Sequence, residues 1–248
     1  MKLEGNSILI TGGSSGIGFG FAEYFSKHNK VIICGKDKKK LDSAKKKIPS
    51  LITYACDLSK KEECEGLYNW INKNHKDVNI LINNAGIQRE IDIKKGVVAI
   101  SVDEEIDVNL KSPIYLSLYF TPMLSAKPNS AIINISSGLA FIPLAAVPIY
   151  CATKAAIHSF TVSLRRQLKT TSIKVIEVIP PIVHDTNLKG KPIERNERSI
   201  STVELINEVI TALREDKEEI PAGLSRNMIA ASKNNFYGAF EDMNRFLK

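Results

Sequence analysis

Tyr150 and Lys154 stand one helical turn apart in the run Tyr150-Cys151-Ala152-Thr153-Lys154. Residues four apart share a helix face, so the phenol and the ammonium point the same way. The chemistry this pairing offers is proton exchange. A tyrosine with an ordinary pKa of about 10 holds its proton too tightly for acid–base work at neutral pH, and a nearby cation favours the phenolate. Bringing it to about 7 takes on the order of 4 kcal/mol, a task in which Lys154 would share. A Y-x-x-x-K also occurs on plain helix surfaces. Position favours the chemical reading, because Tyr150 follows a polar turn, Ser136-Ser137, at the end of an apolar run.

A second cluster opens the chain: Thr11-Gly12-Gly13-Ser14-Ser15-Gly16-Ile17-Gly18, directly after Ile8-Leu9-Ile10. Glycines there permit a tight turn and close backbone approach, while the N–H groups of an opening helix favour a pyrophosphate. The residues that would line it are Gly12, Ser14, Ser15, Gly16, Ile17 and Gly18. The same stretch also fits G-x-S-x-G with Ser14 as the nucleophile of a serine hydrolase. That elbow needs an oxyanion-hole loop from an earlier strand-to-helix connection, and one strand alone precedes Ser14.

Where an NAD site places an acid for the ribose hydroxyls, this sequence has Gly35 and then Lys36, which favours the 2′-phosphate of NADP(H) and leaves NAD(H) possible. Asp57-Leu58 would meet the adenine, with Asp57 accepting from its amino group and Leu58 covering the ring; the plainer role for Asp57 is a helix cap. In Asn83-Asn84-Ala85-Gly86, Asn83 would bridge strands, and Ala85 and Gly86 would keep the floor beside the cofactor low.

These residues need a frame that brings them to one edge. Apolar runs at Ser7–Thr11, 31–34, 51–55, 78–82, 131–136 and 173–179, with a further one near 218–220, alternate with helical patterns at 17–28, Lys38–Lys47, 60–74, 103–124, 150–170 and 202–215. Such alternation predicts an α/β fold over 1–248, a single-domain Rossmann-like doubly wound parallel sheet with helices on both faces. Ligands then bind beyond the carboxyl ends of the strands. Residues 184–201, with Gly190 and Pro192 and no regular period, are expected to form a lid over the substrate pocket. Lys189, Lys191, Arg195 and Arg198 outnumber Glu194 and Glu197 there, which favours an anionic substrate.

Composition excludes other classes. With 44% hydrophobic and 25% charged residues the chain is an ordinary globular one, and Ile8-Leu9-Ile10 is too short for a signal-peptide core, so a cytoplasmic protein is expected. The uncharged stretch 128–153 carries Asn134, Pro143 and Pro148 and does not suit a membrane. The net charge of +7 is concentrated in seven lysines at 36–47, a solvated helix face without the motif of a nucleic-acid binder. Cys34, Cys56, Cys64 and Cys151 have no metal-ligand spacing and are expected reduced, with no metal bound. His184 near the pocket loop has no assigned role.

Taken together, T-G-x-x-x-G-x-G at 11–18, N-N-A-G at 83–86, Ser137 and Y-x-x-x-K at 150–154 resemble the short-chain dehydrogenase/reductase family over nearly the whole chain. Segments 83–89, 136–141 and 147–160 are most similar to its DltE-like oxidoreductases. The resemblance implies hydride transfer between a nicotinamide and a small-molecule carbonyl or alcohol. It implies Tyr150 as general acid/base and Ser137, thirteen residues earlier, as the group holding the carbonyl oxygen. Lys154 would hold the nicotinamide ribose as well as tune Tyr150, and Asn109, in Val108-Asn109-Leu110, would hold a water in the proton relay. Pro180, Val183 and Thr186 would follow the cofactor after the sixth strand, with Thr186 on the carboxamide. The family's basic residue before the second motif glycine is Ser15 here. Its Pro-Gly is Pro180-Pro181, and the stretch to Thr186 is one residue longer. Relatives pair the helices around 112–124 and 155–164, so a homodimer or homotetramer is expected. The rival reading is a cofactor-binding regulatory or structural protein without turnover.

Overall fold

A computed structural model describes residues 1–95, 99–186, 188 and 195–246, with the side chains of 99–101 outside the description. Seven strands form one sheet in the order β3-β2-β1-β4-β5-β6-β9: β1 Ser7–Thr11, β2 Lys30–Gly35, β3 Ile52–Ala55, β4 Ile80–Asn83, β5 Ala131–Ile135, β6 Lys174–Ile179 and β9 Glu219–Pro221. Every neighbouring pair is parallel. The expected strands stand within two residues of their sequence positions. Two-residue strands β7 (Ile182–Val183) and β8 (Ser199–Ile200) form a separate parallel ladder.

The sheet is buried on both faces, which is why β1 reads as an unbroken apolar run. Ile8, Ile10 and Ile33 face a core shared with α1 (Gly16–Phe25) and α7 (Thr202–Arg214). Leu9, Ile32 and Leu81 face the opposite core, with α3 (Lys61–Asn74) and α5 (Ser112–Ser125). The side-chain alternation of strands thus sends successive apolar residues to opposite layers. Because the chain runs outward from β1 to β3 and resumes at β4 on the other side of β1, a crevice opens beyond the C-terminal ends of β1 and β4.

Other helices differ in detail from the sequence pattern. α2 (Lys38–Lys47) begins under an Asp37 cap that accepts from Lys40 N at 3.1 Å. The expected helix at 103–124 is three pieces: α4 (Ala99–Ile106), a π turn at Asp107–Lys111, and α5. Pro113 explains the break, since it has no N–H to give the carbonyl of Asn109 four residues back. α6 (Pro148–Gln167) carries Tyr150 and Lys154 in its first two turns. α8 (Ser225–Asn234) and α9 (Phe236–Asn244) were not foreseen; α8 closes over the turn after β5, where a side chain on Gly138 would meet Met228 Sδ and Ser225 Oγ at 2.7 Å.

Candidate active site

Four side chains named from the sequence meet at the C-terminal end of β5. Ser137 lies just past that strand, 8% exposed, where its hydroxyl accepts from Leu139 N at 3.1 Å and favours ionisation of the Tyr150 phenol. Tyr150 and Lys154 are both buried, and the Lys154 ammonium stands 5.5 Å from the centroid of the tyrosine ring while donating to the Ile135 carbonyl at 2.8 Å. Asn109 lies behind them on the π turn, donating to Ile87 O at 2.8 Å and Thr153 Oγ1 at 3.3 Å and accepting from Ile87 N at 2.9 Å.

Burial governs the electrostatics. It pushes the Tyr150 phenol well above its ordinary value, with Ser137 pulling the other way. It pushes Lys154 down to about 8, opposed by the charge of Glu177. The largest effect on Tyr150 is the cost of a bare phenolate out of water. Glu177 was not anticipated. It is fully buried on β6 and bonds His158 of α6 at 2.9 Å; its strand position pairs with Asn134, which pairs with Asn83. Three polar residues therefore stand side by side on neighbouring strands beneath α6.

The glycine loop supplies the second half of the crevice. Gly12 (φ 64°) and Gly16 (φ 54°) occupy the left-handed region, and a Cβ on Gly12 would stand 2.9 Å from Ala85 Cα. Ser15 makes no capping bond to α1 and the first turn has no acid, whereas α7 is closed by a Ser201–Glu204 capping box. The N-terminus of α1 is thus left for an outside anion, and the narrow glycine floor fits the pyrophosphate of a dinucleotide. A groove of about 490 Å³ borders Ser14, Ser15 and Gly16 and runs outward between α1, α2 and α7; Tyr150 does not line it.

The remaining named residues divide. Thr186 lies against the loop, its Cγ2 3.4 Å from where a Gly16 Cβ would be, and donates to Val183 O at 2.8 Å. Just before it, Asp185 stands at φ 63°, and its carboxylate accepts from Thr202 N and Oγ1 at the start of α7. Pro180 accepts from Gly138 N at 3.0 Å, and Val183 is core. Asn83 bridges to Asn134 at 2.9 Å and Ser117 at 3.2 Å, away from the loop. The residue that does reach the loop is Asn84, through Thr11 O at 2.8 Å, while Thr11 Oγ1 accepts from Asn84 N and Ala85 N. The signal lay in the adjacency of the two asparagines at the end of β4, since successive side chains of extended backbone face opposite sides. Leu58 is packed in the core, and Asp57 Oδ1 accepts from Ser59 N and Oγ in a turn before α3, whose N-cap is Lys60, so Asp57 is not the cap of that helix. Lys36 is already paired with Glu104 at 2.8 Å.

Of the expected lid, Lys189, Gly190, Lys191, Pro192 and Glu194 lie outside the described residues. Its flanks are not irregular: β7 pairs with β8, His184 N donates to Ile200 O at 3.0 Å, and His184 Nδ1 meets Ser199 Oγ at 3.0 Å. All four cysteines are free and buried, and no metal-binding group occurs among the described residues. No helix among them is long and apolar enough to cross a membrane.

Residues 6–197 match the family model described as short chain dehydrogenase. The chain is 44% identical over 249 residues to the uncharacterized oxidoreductase DltE of Bacillus subtilis (strain 168), covering 98% of this chain and 98% of that one. A crystal structure of a short chain dehydrogenase from Burkholderia cenocepacia J2315 in complex with NADP shares the fold at a TM-score of 0.82, with 25% identity over 100% of both chains. Another, from Burkholderia phymatum in complex with NAD, has a TM-score of 0.81 at 19% identity, covering 98% of this chain and 97% of that one. The chain belongs to the short-chain dehydrogenase family, with a DltE-like sequence, and is an NAD(P)-dependent dehydrogenase or reductase. That membership sets aside the hydrolase built on Ser14.

Proposed function

We propose that the protein is an NADP(H)-preferring oxidoreductase that interconverts a small carbonyl compound and its alcohol, with Tyr150 as the general acid/base. The observation that carries this reading is the convergence of Ser137, Tyr150 and Lys154 in one buried cluster beside the glycine loop, with Asn109 behind it. The nicotinamide, when bound, supplies or accepts the hydride.

In reduction, Tyr150 gives its proton to the oxygen that becomes the alcohol, and a phenol raised by burial holds that proton ready at neutral pH. Ser137 donates to the same oxygen and fixes the carbonyl against the phenol. Lys154 provides the cation that makes loss of the phenol proton affordable, and Asn109 holds the loop at Ile87 and the helix at Thr153 in register behind it. Leu139, Leu144 and Leu188 pack around Val147, Tyr150 and Cys151, an apolar wall that suits an uncharged carbonyl with an apolar substituent. The anionic substrate expected from the lid rested on Lys189 and Lys191, outside the described residues, and on Arg195 and Arg198, which are exposed.

The test is purified protein with NADPH or NADH and a panel of aldehydes, ketones and diketones. Tyr150→Phe is expected to lower turnover about 10²- to 10⁴-fold while leaving the NADPH dissociation constant close to unchanged. Comparable turnover by Tyr150→Phe would remove the tyrosine from the mechanism, and equal dissociation constants for NADPH and NADH would remove the preference.

A further inference from the structure

Space is left at the end of β2. A side chain on Gly35 would approach Ser14 Oγ at 3.8 Å, an ordinary contact, although its backbone does not require glycine. Beside this opening, Lys36 reaches across to α4, where its Nζ meets Glu104 Oε1 at 2.8 Å. The second carboxylate oxygen of Glu104 pairs with the guanidinium of Arg89, from the segment after β4. Three segments distant in sequence therefore place one carboxylate between two cations, next to the glycine loop, whose Gly12 N donates to Cys34 O at 2.8 Å.

We infer that Glu104 is a specificity-determining residue: a resident carboxylate that competes with a cofactor's 2′-phosphate for Lys36 and Arg89 and so restrains the preference for NADP(H) over NAD(H). The inference rests on the reading of this crevice as the cofactor site. A phosphate monoester bears about −1.5 to −2 charges at neutral pH. Entering beside Gly35, it must either take the cations from Glu104 or lie beside a like charge. The resident pairing is mutual, the hydrogen bond from Lys36 holding Glu104 below the usual carboxylate range and Glu104 holding Lys36 up. Asp57 adds a second negative charge near Lys36, with Lys60 near Asp57 in turn. The opening is thus less cationic than Lys36 alone implies. The side chains of Lys36 and Glu104 are 60% and 29% exposed, so solvent weakens the contest to a modest factor rather than a switch.

Calorimetry on the full chain with 2′,5′-ADP and 5′-AMP measures the contest without turnover. Glu104→Gln keeps the shape and removes the charge; it is expected to tighten 2′,5′-ADP about 5-fold and to leave 5′-AMP nearly unchanged. Arg89→Gln should weaken 2′,5′-ADP and spare 5′-AMP. Glu104→Ala repeats the charge removal should glutamine disturb α4, and thermal unfolding confirms that each variant is folded. Equal effects on both nucleotides, or no effect on either, would overturn the inference. So would a loss of 5′-AMP affinity alone, which would make Glu104 an acceptor for the ribose hydroxyl. Titration of NADPH and NADH separates the two levels: absence of binding by either defeats the cofactor site itself, whereas binding with a ratio unmoved by Glu104→Gln defeats this inference alone.

Discussion

Lys154 and Glu177 show how little a residue's chemistry is set by its own type. Buried among strand ends, the ammonium is pushed down to about 8 and Glu177 opposes that shift. Removing the negative charge should let burial act further. In Glu177→Gln the alkaline limb of the kcat/KM profile that reports Lys154 is expected to move to lower pH, while the glutamine retains a polar partner for His158. An unchanged limb, measured from pH 6 to 10 with the same substrate, would separate Glu177 from the site.

At the scale of elements, the π turn between α4 and α5 is the distinctive feature. Asn109 sits within it, and Pro113 prevents the regular helix from running through. Pro113→Ala restores the missing N–H and should let the turn relax toward an α-helix, shifting Asn109 from Ile87 and Thr153. The expected result is a fall in turnover on the order of 10- to 100-fold with no loss of thermal stability. Lowered stability with full turnover would show that Pro113 serves packing rather than the site.

For the whole molecule, two further outcomes follow. Leu118 on α5 and Val162 on α6 are 57% and 45% exposed, although the buried sides of both helices already pack on the sheet. We propose that these faces pair in a homo-oligomer. Light scattering at micromolar concentration should give at least a dimer, and Leu118→Lys or Val162→Lys should lower the mass; a native monomer would contradict the proposal. Stability should also depend on pH through two buried groups. Burial raises Glu105 to about 7, so its contribution is full below its unfolded value near 4.5 and is lost as pH rises to about 7. Lys154 is depressed to about 8, so its contribution is full above its unfolded value near 10.5 and is lost as pH falls to about 8. Both act against the fold between about pH 7 and 8. Relative to the native chain, Glu105→Gln should gain roughly 3 kcal/mol at most on passing from pH 4.5 to 7 in denaturant titrations, and a pH-independent difference would sink that assignment.

Sequence alone determined the seven strands of the main sheet and the helices that alternate with them, because a sheet buried on both faces requires apolar runs and each crossover requires a helix between them. It also placed Tyr150 and Lys154 a turn apart on one helix face, whereas Ser137 was singled out through the family resemblance. Tertiary structure decided what depends on groups distant along the chain. Glu104 reaches Lys36 across an interval of 68 residues, and Arg89 joins it from the other side, so no local pattern could reveal that the expected phosphate ligand already has a partner. Glu177 lies near Lys154 because β6 follows β5 in the sheet, and the depth of burial that raises Tyr150 exists once α6 has docked. The π turn stands between these cases: its cause, Pro113, is written in the sequence, but its consequence is the placement of Asn109 against Ile87 and Thr153, which belong to other parts of the fold.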